Sequence, residues 1–469
     1  MTNWIPNLAG SGPLYQRLAD SIEADIDRGV IGAGAKLPPQ RDLAYDIGAT
    51  VGTVGRAYQL LRERGLVSGE VGRGTYVLGE DTGVAKPEIP DVSVEGTRYV
   101  DAPKDKLRFD STAAPDIGQG AIVADVLSRA AQDHPHEISS YTRDFPDRWY
   151  EAGARWLSRN SFRPATDTIV PTLGTHAAVM AAIAALTAPG DYVAFEHLTY
   201  SQISRSASLI GRRTALVASD DEGLDPQDFE RVCAQKHPRM IFLMPTAQNP
   251  TLVTLSTGRR EAIARIAREY NVILIEDDLY GHLTDDPTPL LAEFAPERTI
   301  IAGGLSKSVA AGLRGGWLSC PPAYRHRIRV AHKMMTGGMP FLLAEVNARL
   351  VVSGQASEIR KRSIAEISAR ISIVRANLAG FSIKSHDKVP FVWLTLPDPW
   401  LSGTFKNACL EHGVLIDDED EFKAGRSERV FHGVRFGVSQ PRRRDDITGG
   451  VAVIRRLLDE GRAGYDSFS

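Results

Sequence analysis

The strongest constraint on the fold is a series of short, uninterrupted apolar runs that alternate with helical segments. The runs are DYVAFE, TALVAS, MIFLMP, VILIED and TIIAGG. Between two of them, GRREAIARIAREYN places Ile263, Ile266 and Tyr270 on one face of a helix. Strands that are apolar on both faces are typical of parallel sheets covered by helices. The pattern predicts an α/β domain from about residue 108, with a doubly wound sheet and ligands at the carboxyl ends of its strands.

Each of the last three runs leads to a polar residue suited to chemistry. Asn249 lies in QNP, Asp277 and Tyr280 lie in EDDLY, and Lys307 is followed by Arg314 seven positions later. Singly, these residues have ordinary explanations, since Asn-Pro can form a turn and an acidic pair can be a solvated strand end. Their order at the ends of successive predicted strands indicates one shared site instead.

The same order matches what a lysine imine of pyridoxal phosphate needs. The pyridine nitrogen needs an acid, the phenolic oxygen needs donors, and the phosphate needs N–H groups, hydroxyls and an arginine. The candidates are Asn249 for the phenolic oxygen, a carboxylate and Tyr280 in EDDLY, Thr175 and His176 at the positive end of a helix, Tyr200 as a stacking ring, and Ser306, Lys307 and Arg314. Tyr200 could also be a core residue, and we interpret His176 as a backbone donor rather than a catalytic base.

Residues 14–77 form a second pattern. Leu14, Leu18, Ile22 and Ile26 make one apolar helical face, and a short helix, QRDLAYDIG, follows a Gly/Pro turn. Thr50 can cap a third helix that ends at a glycine, and two β-rich runs then flank GEVGRG. Helix, short helix, turn, helix and hairpin is the order of a winged helix-turn-helix.

Polar residues on this unit suggest DNA contacts, although each could be an ordinary surface residue. The candidates are Arg41, Thr50, Thr53, Arg56, Arg73 and Thr75. Gly52 and Gly55 indicate a close approach to the third helix, either by DNA phosphates or by a neighbouring helix. Residues 1–80 hold eight basic and nine acidic side chains, so we expect a few placed arginines and two copies of the domain to bind DNA together.

Other classes of protein are disfavoured by the composition. The three cysteines, Cys233, Cys320 and Cys409, are far apart and accompany no Cys–His cluster, which argues against a metal site or disulfides. The start of the sequence lacks the pattern of a signal peptide, and no stretch approaches the length of a membrane span. We therefore expect a cytoplasmic protein without a metal or a membrane partner.

The segment KLPPQRDLAYDIGATVGTVGRAYQLLRERGLVSGEVGRGTYV resembles the DNA-binding domain of GntR-type bacterial regulators. The matching positions are Pro38, Arg41, Thr53, Val54, Arg56, Gly72, Gly74 and Thr75. Val51 and Gly55 depart from the pattern, because many members carry Arg there. The resemblance implies a DNA-binding domain over residues 1–78, and the Gly- and Pro-containing segment 79–107 is interpreted as a linker.

Residues 110–465 resemble class I aminotransferases of fold type I, which implies a smaller C-terminal α/β subdomain. The roles implied by this resemblance are Lys307 as the Schiff-base lysine, Asp277 on the pyridine nitrogen, Asn249 and Tyr280 on the phenolic oxygen, Tyr200 stacked on the ring, Arg314 on the phosphate, Arg435 on a substrate α-carboxylate, and Tyr141 at the partner subunit's phosphate. Gly304 departs from the family, where a hydroxyl donor is frequent, so Ser306 or Ser308 is expected to replace it.

A GntR-type domain joined to an aminotransferase-like domain, residues 108–469, resembles MocR-type transcriptional regulators. The resemblance implies a homodimer with swapped domains, pyridoxal 5'-phosphate as cofactor, and double-stranded DNA with repeated half-sites as a partner. A small amine or amino acid would be sensed through an aldimine at Lys307. The alternative is a working aminotransferase, with Lys307, Asp277 and Tyr280 as catalytic residues and an incidental DNA-binding module. A third interpretation, a scaffold that has lost its cofactor, fits poorly with the presence of Lys307, Asp277 and Arg314.

Overall fold

The computed structural model describes residues 4, 6–9, 12–70, 74–78 and 105–468. The chain divides into two compact units, Met1–Glu95 and Gly96–Ser469. Each unit has its own hydrophobic core.

The N-terminal unit has the predicted order of elements. These are α1 (Leu14–Asp27), α2 (Gln40–Asp46), α3 (Val51–Glu63), β1 (Val67–Glu70) and β2 (Gly74–Val77). The Thr50 side chain accepts a hydrogen bond from the backbone N–H of Thr53 at 3.2 Å and so caps α3, as expected. The two strands pair antiparallel, with Val67 opposite Val77. The winged helix-turn-helix predicted from the sequence is confirmed over the described residues.

The core of this unit consists of apolar side chains from all three helices and both strands. It includes Leu18, Ile22, Leu43, Val54, Leu61, Val67 and Val77. Leu18 and Ile22 belong to the helical face identified from the sequence, and both are fully buried. The periodicity of α1 therefore correctly predicted which of its faces is packed.

The large unit contains both long and short strands. In chain order they are β3 (Leu107–Arg108), β4 (Ile169–Thr172), β5 (Tyr192–Glu196), β6 (Arg213–Val217), β7 (Ser219–Asp220), β8 (Gly223–Leu224), β9 (Met240–Leu243), β10 (Ile273–Asp277), β11 (Thr299–Gly304), β12 (Gly316–Ser319), β13 (Ile383–Ser385), β14 (Phe391–Thr395), β15 (Val414–Leu415), β16 (Asp417–Asp418) and β17 (Gly433–Gly437).

Helices surround these strands. They are α4 (Gly120–Asp133), α5 (Pro135–Ile138), α6 (Asp147–Leu157), α7 (Gly174–Leu186), α8 (Gln202–Leu209), α9 (Pro226–Lys236), α10 (Thr257–Glu269), α11 (Leu291–Phe294), α12 (Pro322–Thr336), α13 (Phe341–Val352), α14 (Gln355–Asn377), α15 (Ser402–Glu411) and α16 (Arg444–Asp466).

The central sheet has seven strands in the order β4-β12-β11-β10-β9-β5-β6. The five strands predicted from apolar runs are contiguous and mutually parallel. Two further strands were not predicted: β12 runs antiparallel to both β11 and β4. The sheet is therefore mixed rather than wholly parallel.

The carboxyl ends of β9, β10 and β11 are adjacent because these strands are neighbours in the sheet. Asp277 is the last residue of β10, Lys307 lies three residues beyond the end of β11, and Asn249 follows β9. This arrangement places the three sequence-predicted segments at one edge, as expected for a parallel sheet.

A smaller subdomain near the C terminus has a four-stranded antiparallel sheet in the order β13-β14-β17-β16. It confirms the smaller C-terminal α/β subdomain. Strand β3 pairs in parallel with β15, and Phe109 lies fully buried in the core of this subdomain. The segment that follows Phe109 is thereby held against the small subdomain before it reaches the large sheet. Strand β3 begins at the last residue of the predicted linker, of which residues 79–104 lie outside the described residues.

Two kinds of feature are missing from the described parts of the chain. None of the helices there is both long enough and apolar enough to cross a bilayer. The same residues contain no group of three or more His, Cys, Asp or Glu side chains placed to hold a metal ion.

Neighbouring glycines in α16 offer a test of the Phe109 anchor. A Cβ at Gly450 would lie 2.5 Å from the Phe109 ring, whereas a Cβ at Gly449 would meet nothing within 4 Å. We expect Gly450→Ala to lower the free energy of unfolding by about 1–3 kcal/mol through overpacking. Gly449→Ala is the control and should raise it by roughly 0.5–1 kcal/mol, because alanine favours helix. Urea denaturation measures both, and equal stability of the two variants would contradict the anchor.

Candidate functional site

A cavity of about 250 Å³ lies at the edge formed by the ends of β9, β10 and β11. Ten side chains predicted from the sequence line it: Thr175, His176, Tyr200, Asn249, Asp277, Tyr280, Ser306, Lys307, Arg314 and Arg435. They come from segments distant in the chain and from both the large sheet and the small subdomain. The fold therefore assembles one polar cavity from these candidates.

The Lys307 amine is held by a residue that sequence reasoning missed. Lys307 Nζ donates to Thr112 Oγ1 at 2.9 Å, and the Tyr280 hydroxyl donates to the same oxygen at 2.9 Å. Thr112 is buried and lines the cavity with Ser111 and Ala113. No motif marks this segment, since it reaches the site only through the pairing of β3 with β15.

The EDDLY segment supplies one carboxylate to the cavity and directs the next one away from it. Asp277 lines the cavity and is buried, and its Oδ1 accepts the Leu279 backbone N–H at 3.0 Å. Burial raises the pKa of Asp277 to about 7. Asp278 instead forms an ion pair with the buried Arg159 at 2.9 Å. The two acids are thus not a solvated strand end, and only Asp277 faces the cavity.

Another group of residues on the cavity wall is suited to an anion. Helix α7 begins at Gly174, and the Thr175 hydroxyl is buried without a hydrogen-bond partner among the described residues. A Cβ at Gly174 would lie 3.6 Å from the Arg314 guanidinium. Backbone N–H groups at a helix N terminus, a hydroxyl and a guanidinium together form a phosphate-binding arrangement.

Packing accounts for the glycine at position 304. A Cβ at Gly304 would lie 2.6 Å from the backbone oxygen of Gly315 and 2.9 Å from Thr175 Oγ1. Any larger residue would displace the Thr175 hydroxyl. Of the two serines expected to compensate, Ser306 lines the cavity, while Ser308 is buried and is not among the lining residues.

His176 and Tyr200 lie side by side at the cavity wall. Their rings are 6.1 Å apart and nearly perpendicular. Burial, and secondarily the charge of Arg314, lower the pKa of His176 below its ordinary value. His176 is therefore uncharged at neutral pH, and the interpretation that it is not a catalytic base stays a prediction.

Arg435 and Asn249 determine each other's orientation. Arg435 Nη1 donates to Asn249 Oδ1 at 2.9 Å. A guanidinium can only donate, so the amide oxygen of Asn249 must face it and the amide nitrogen remains as a donor. Arg435 is fully buried and also contacts Asp417 and the backbone oxygen of Asp110.

Tyr141 is not among the residues that line the cavity. Its side chain is 89% exposed. A role at a cofactor would therefore require a second copy of the chain.

The predicted DNA contacts on the N-terminal unit differ in their surroundings. Arg41, Thr50 and Arg56 are exposed and Thr53 is half-buried, whereas Arg73 lies outside the described residues. The Thr50 and Thr53 hydroxyls are hydrogen-bonded to each other at 2.9 Å. Thr50 therefore has a structural role at the cap of α3 in addition to any role at DNA.

Three further details refine this surface. Thr75 in β2 is half-buried, and its backbone oxygen accepts the Leu37 N–H at 2.8 Å. A Cβ at Gly55 would lie 3.3 Å from Gln40 Oε1, so this glycine accommodates α2. A Cβ at Gly52 would meet only the Thr50 hydroxyl, at 3.8 Å. The close approach that Gly52 and Gly55 suggested is thus made by a neighbouring helix at Gly55.

Ion pairs separate the basic residues of this unit into two groups. Arg64 pairs with Asp20 at 2.8 Å and also with Glu23, both on α1. Arg41 and Arg56 form no ion pair with another residue of the described part of the chain. Although the unit has no excess of positive charge, its acids partly neutralise arginines other than Arg41 and Arg56.

The cavity residues fit pyridoxal phosphate. The buried Thr175 hydroxyl and the N terminus of α7 match a phosphate, and Arg314 supplies its counter-charge. The donor at Asn249 and the carboxyl at Asp277 match the two polar positions of the pyridine ring. Lys307 lies on the same cavity as the amine that an aldehyde requires.

Comparison with known proteins gives two family matches. Residues 105–430 match aminotransferase class I and II, and residues 14–77 match the gntR family of bacterial regulatory proteins. The HTH-type transcriptional regulator YdeF of Bacillus subtilis (strain 168) is 29% identical over 462 residues, covering 98% of this chain and 97% of that protein. The vitamin B6 salvage pathway transcriptional repressor PtsJ of Salmonella typhimurium is 28% identical over 323 residues, covering 68% and 70%.

Solved structures share the fold of the large unit. An archaeal alanine:glyoxylate aminotransferase has a TM-score of 0.68 and 21% identity, covering 79% of this chain and 93% of its own. LysN, an α-aminoadipate aminotransferase from Thermus thermophilus, was solved with N-(5'-phosphopyridoxyl)-L-leucine. It also has a TM-score of 0.68 and 21% identity, covering 78% and 94%.

The two matches and the assembled cavity agree with each other. The chain belongs to the aminotransferase class I and II family and joins that domain to a GntR helix-turn-helix domain, as MocR-type transcriptional regulators do.

Proposed function

We propose that this protein is a bacterial transcriptional regulator that depends on pyridoxal 5'-phosphate and responds to a small amine or amino acid. Residues 1–78 would bind double-stranded DNA, residues 79–107 would connect the domains, and residues 108–469 would hold the cofactor and the effector. The supporting observation is a complete cofactor-type cavity around Lys307 in a chain that also has a GntR domain. A regulator of this kind acts in the cytoplasm, where bacterial DNA lies.

When bound, pyridoxal phosphate supplies an aldehyde that condenses with primary amines and a ring that accepts electrons. The chain's residues would bind and orient it. Asp277 would hold a proton at the pyridine nitrogen, and Asn249 would donate to the phenolic oxygen. Tyr280 would donate there as well by turning its single hydroxyl hydrogen from Thr112 Oγ1 to the cofactor. The residues for the remaining contacts are Thr175, His176, Ser306 and Arg314 at the phosphate, and Tyr200 at the ring face.

Lys307 is kept in place by hydrogen bonding. Its amine donates to Thr112 Oγ1, which also accepts from the Tyr280 hydroxyl. These contacts hold Nζ within the cavity, near the carboxyl end of β11. Thr112 Oγ1 links Nζ to the hydroxyl of Tyr280. An amine ligand that replaces Lys307 at the cofactor would find the same hydroxyl and phenol as partners.

A working aminotransferase is the second candidate function. It is favoured by the assembly of Lys307, Asp277 and Tyr280 on one cavity. Repeated turnover with an amino donor and a keto acid, at rates near the roughly 10 per second of ordinary enzymes, would support it. A regulator requires only that the ligand stay bound long enough to change DNA binding.

The proposed assembly is a homodimer with swapped domains through the large unit. The exposed Tyr141 would then reach the cofactor of the partner. Two GntR domains would bind repeated half-sites, since one copy without excess positive charge should bind weakly.

Loss of Lys307 should uncouple the ligand from DNA. Borohydride should fix the cofactor to Lys307, and mass spectrometry should find the adduct on that residue. We expect Lys307→Ala to bind the promoter region as the parent does but to lose the change in affinity caused by the effector, because a ligand acts only through a difference between states. Lys361→Ala, an exposed lysine on α14, is the control. An unchanged effector response in Lys307→Ala would contradict the proposed sensing.

Asp277 should destabilise the cofactor-free protein at neutral and higher pH. Its folded pKa of about 7 exceeds the ordinary 3.8, so the folded state holds a proton that the unfolded state releases between these values. Stability therefore falls as the pH rises from about 4 to about 7 and stays lower above that. We expect the free energy of unfolding of cofactor-free Asp277→Asn to exceed that of the parent by on the order of 4 kcal/mol at pH 8, with the difference vanishing near pH 4.

Urea denaturation at both pH values measures this difference, and the variant should also bind the cofactor less tightly. Asp278→Asn is the matched control. It breaks the buried ion pair with Arg159 and should be less stable than the parent. A variant Asp277→Asn that is no more stable than the parent at pH 8 would show that burial of this carboxyl has no net cost.

Arg56 should contribute to DNA recognition. Removing one base-reading arginine costs about 1–3 kcal/mol, so Arg56→Ala should bind the promoter region at least several-fold more weakly. Arg28→Ala is the control, because Arg28 pairs with Asp25 at 2.5 Å on α1. Mobility-shift titration at fixed salt measures both. Equal affinity of Arg56→Ala and the parent would exclude α3 as the recognition helix.

A further inference from the structure

The guanidinium that the family resemblance assigns to a ligand carboxylate already has a carboxylate of its own. Strands β16 and β17 pair antiparallel with Asp417 opposite Arg435. The two side chains form an ion pair, and both are buried. The rings of Phe422 and Phe391 lie 4.6 Å and 5.6 Å from the guanidinium.

Other residues of the chain already accept hydrogen bonds from the terminal nitrogens of Arg435, which a ligand carboxylate would need for a bidentate contact. Nη2 donates to the Asp110 backbone oxygen at 3.2 Å and also to Asp417, which uses both of its N–H bonds. Nη1 donates to Asn249 at 2.9 Å. A ligand carboxylate held end-on needs one N–H from each terminal nitrogen. It could bind in that way only by displacing Asp417 or Asp110.

Electrostatics oppose such a displacement. Arg435 and Asp417 together have no net charge, so the pair offers little attraction to an anion. A ligand carboxylate at this position would bring a second buried carboxylate beside one guanidinium, and like charges in a buried site disfavour each other. A neutral group at the same place would leave the ion pair intact.

We propose that Asp417 determines the specificity of the ligand site: by occupying Arg435, it makes the cavity select a primary amine that has no carboxylate beside its amino group over the corresponding amino acid. This inference rests on the proposed function and narrows its effector class. It opposes the carboxylate contact that the family resemblance implies for Arg435.

The test titrates the full-length holoprotein with matched pairs that differ only in the carboxylate. Suitable pairs are ethylamine with L-alanine and phenethylamine with L-phenylalanine, since each compound has a single amino group. The readout is the absorption change of the bound cofactor, with concentrations expressed as unprotonated amine. Each ratio is divided by the ratio that the same pair gives with free pyridoxal phosphate, which removes intrinsic differences in reactivity.

The parent should prefer the amine of each pair by at least 10-fold after this normalisation. Asp417→Asn keeps the size of the side chain and removes its charge, so it should shift the preference toward the amino acid by at least 10-fold. Asp418→Asn is the matched control, because Asp418 is the next residue and pairs with Lys406 at 3.1 Å rather than with Arg435. It should leave the preference within about twofold of the parent.

A parent that prefers the amino acids, or an Asp417→Asn variant with an unchanged ratio, would overturn the inference while leaving aldehyde-based sensing intact. If no compound changes the absorption of cofactor bound at Lys307, the proposed function fails as well. If Asp417→Asn does not retain the cofactor, the inference is tested instead by the amine-to-amino-acid preference of the parent and of an Asp417→Glu variant. Asp417→Glu keeps the negative charge and should retain the preference for the amine. Loss of this preference in Asp417→Glu would contradict the role assigned to the charge.

Discussion

One buried guanidinium joins the three parts of the chain that form the cavity wall. Arg435 lies on the small sheet and bonds to Asn249 beyond β9, to the backbone at Asp110 after β3, and to Asp417 on β16. These hydrogen bonds offset part of the cost of burying a guanidinium, and breaking any of them would add to that cost, so they hold the three partners in position relative to one another. The amide nitrogen of Asn249 and the Thr112 hydroxyl near Lys307 depend on that arrangement.

The site also concentrates buried carboxyl groups at the end of β10. Burial raises the pKa of Asp277 to about 7 and that of Glu276 to about 8, while Arg159 and Arg260 offset part of the charge nearby. An uncompensated acid at such a place weakens folding at neutral pH. A pyridine nitrogen that shares its proton with Asp277 would reverse this cost, so cofactor binding and stability should be linked.

The sequence was most informative about reactive side chains that lie at the end of a strand or directly after it. Asp277 and Lys307 could be predicted because apolar runs locate strand ends and parallel strands bring those ends to one edge. Strands β4 and β12 were missed because neither is an uninterrupted apolar run: β4 contains Pro171, and β12, which is antiparallel to its neighbours, begins with Gly316. Thr112 and the Asp417–Arg435 pair were also missed, since long-range pairing of β3, β16 and β17 brings them to the site.

The seven-stranded and the four-stranded sheet of the large unit both contribute residues to the cavity. Lys307 and Asp277 belong to the large sheet edge, and Arg435 belongs to the small sheet, yet all three line the same cavity. A ligand that fills the cavity contacts both sheets, so it can favour one of their relative positions over another. A coupling of about 1–3 kcal/mol between ligand and DNA corresponds to a change in affinity of about 5–150-fold. In the proposed dimer, where a single GntR domain without excess positive charge should bind weakly, a change of that size in how two copies engage repeated half-sites would be enough to switch operator occupancy.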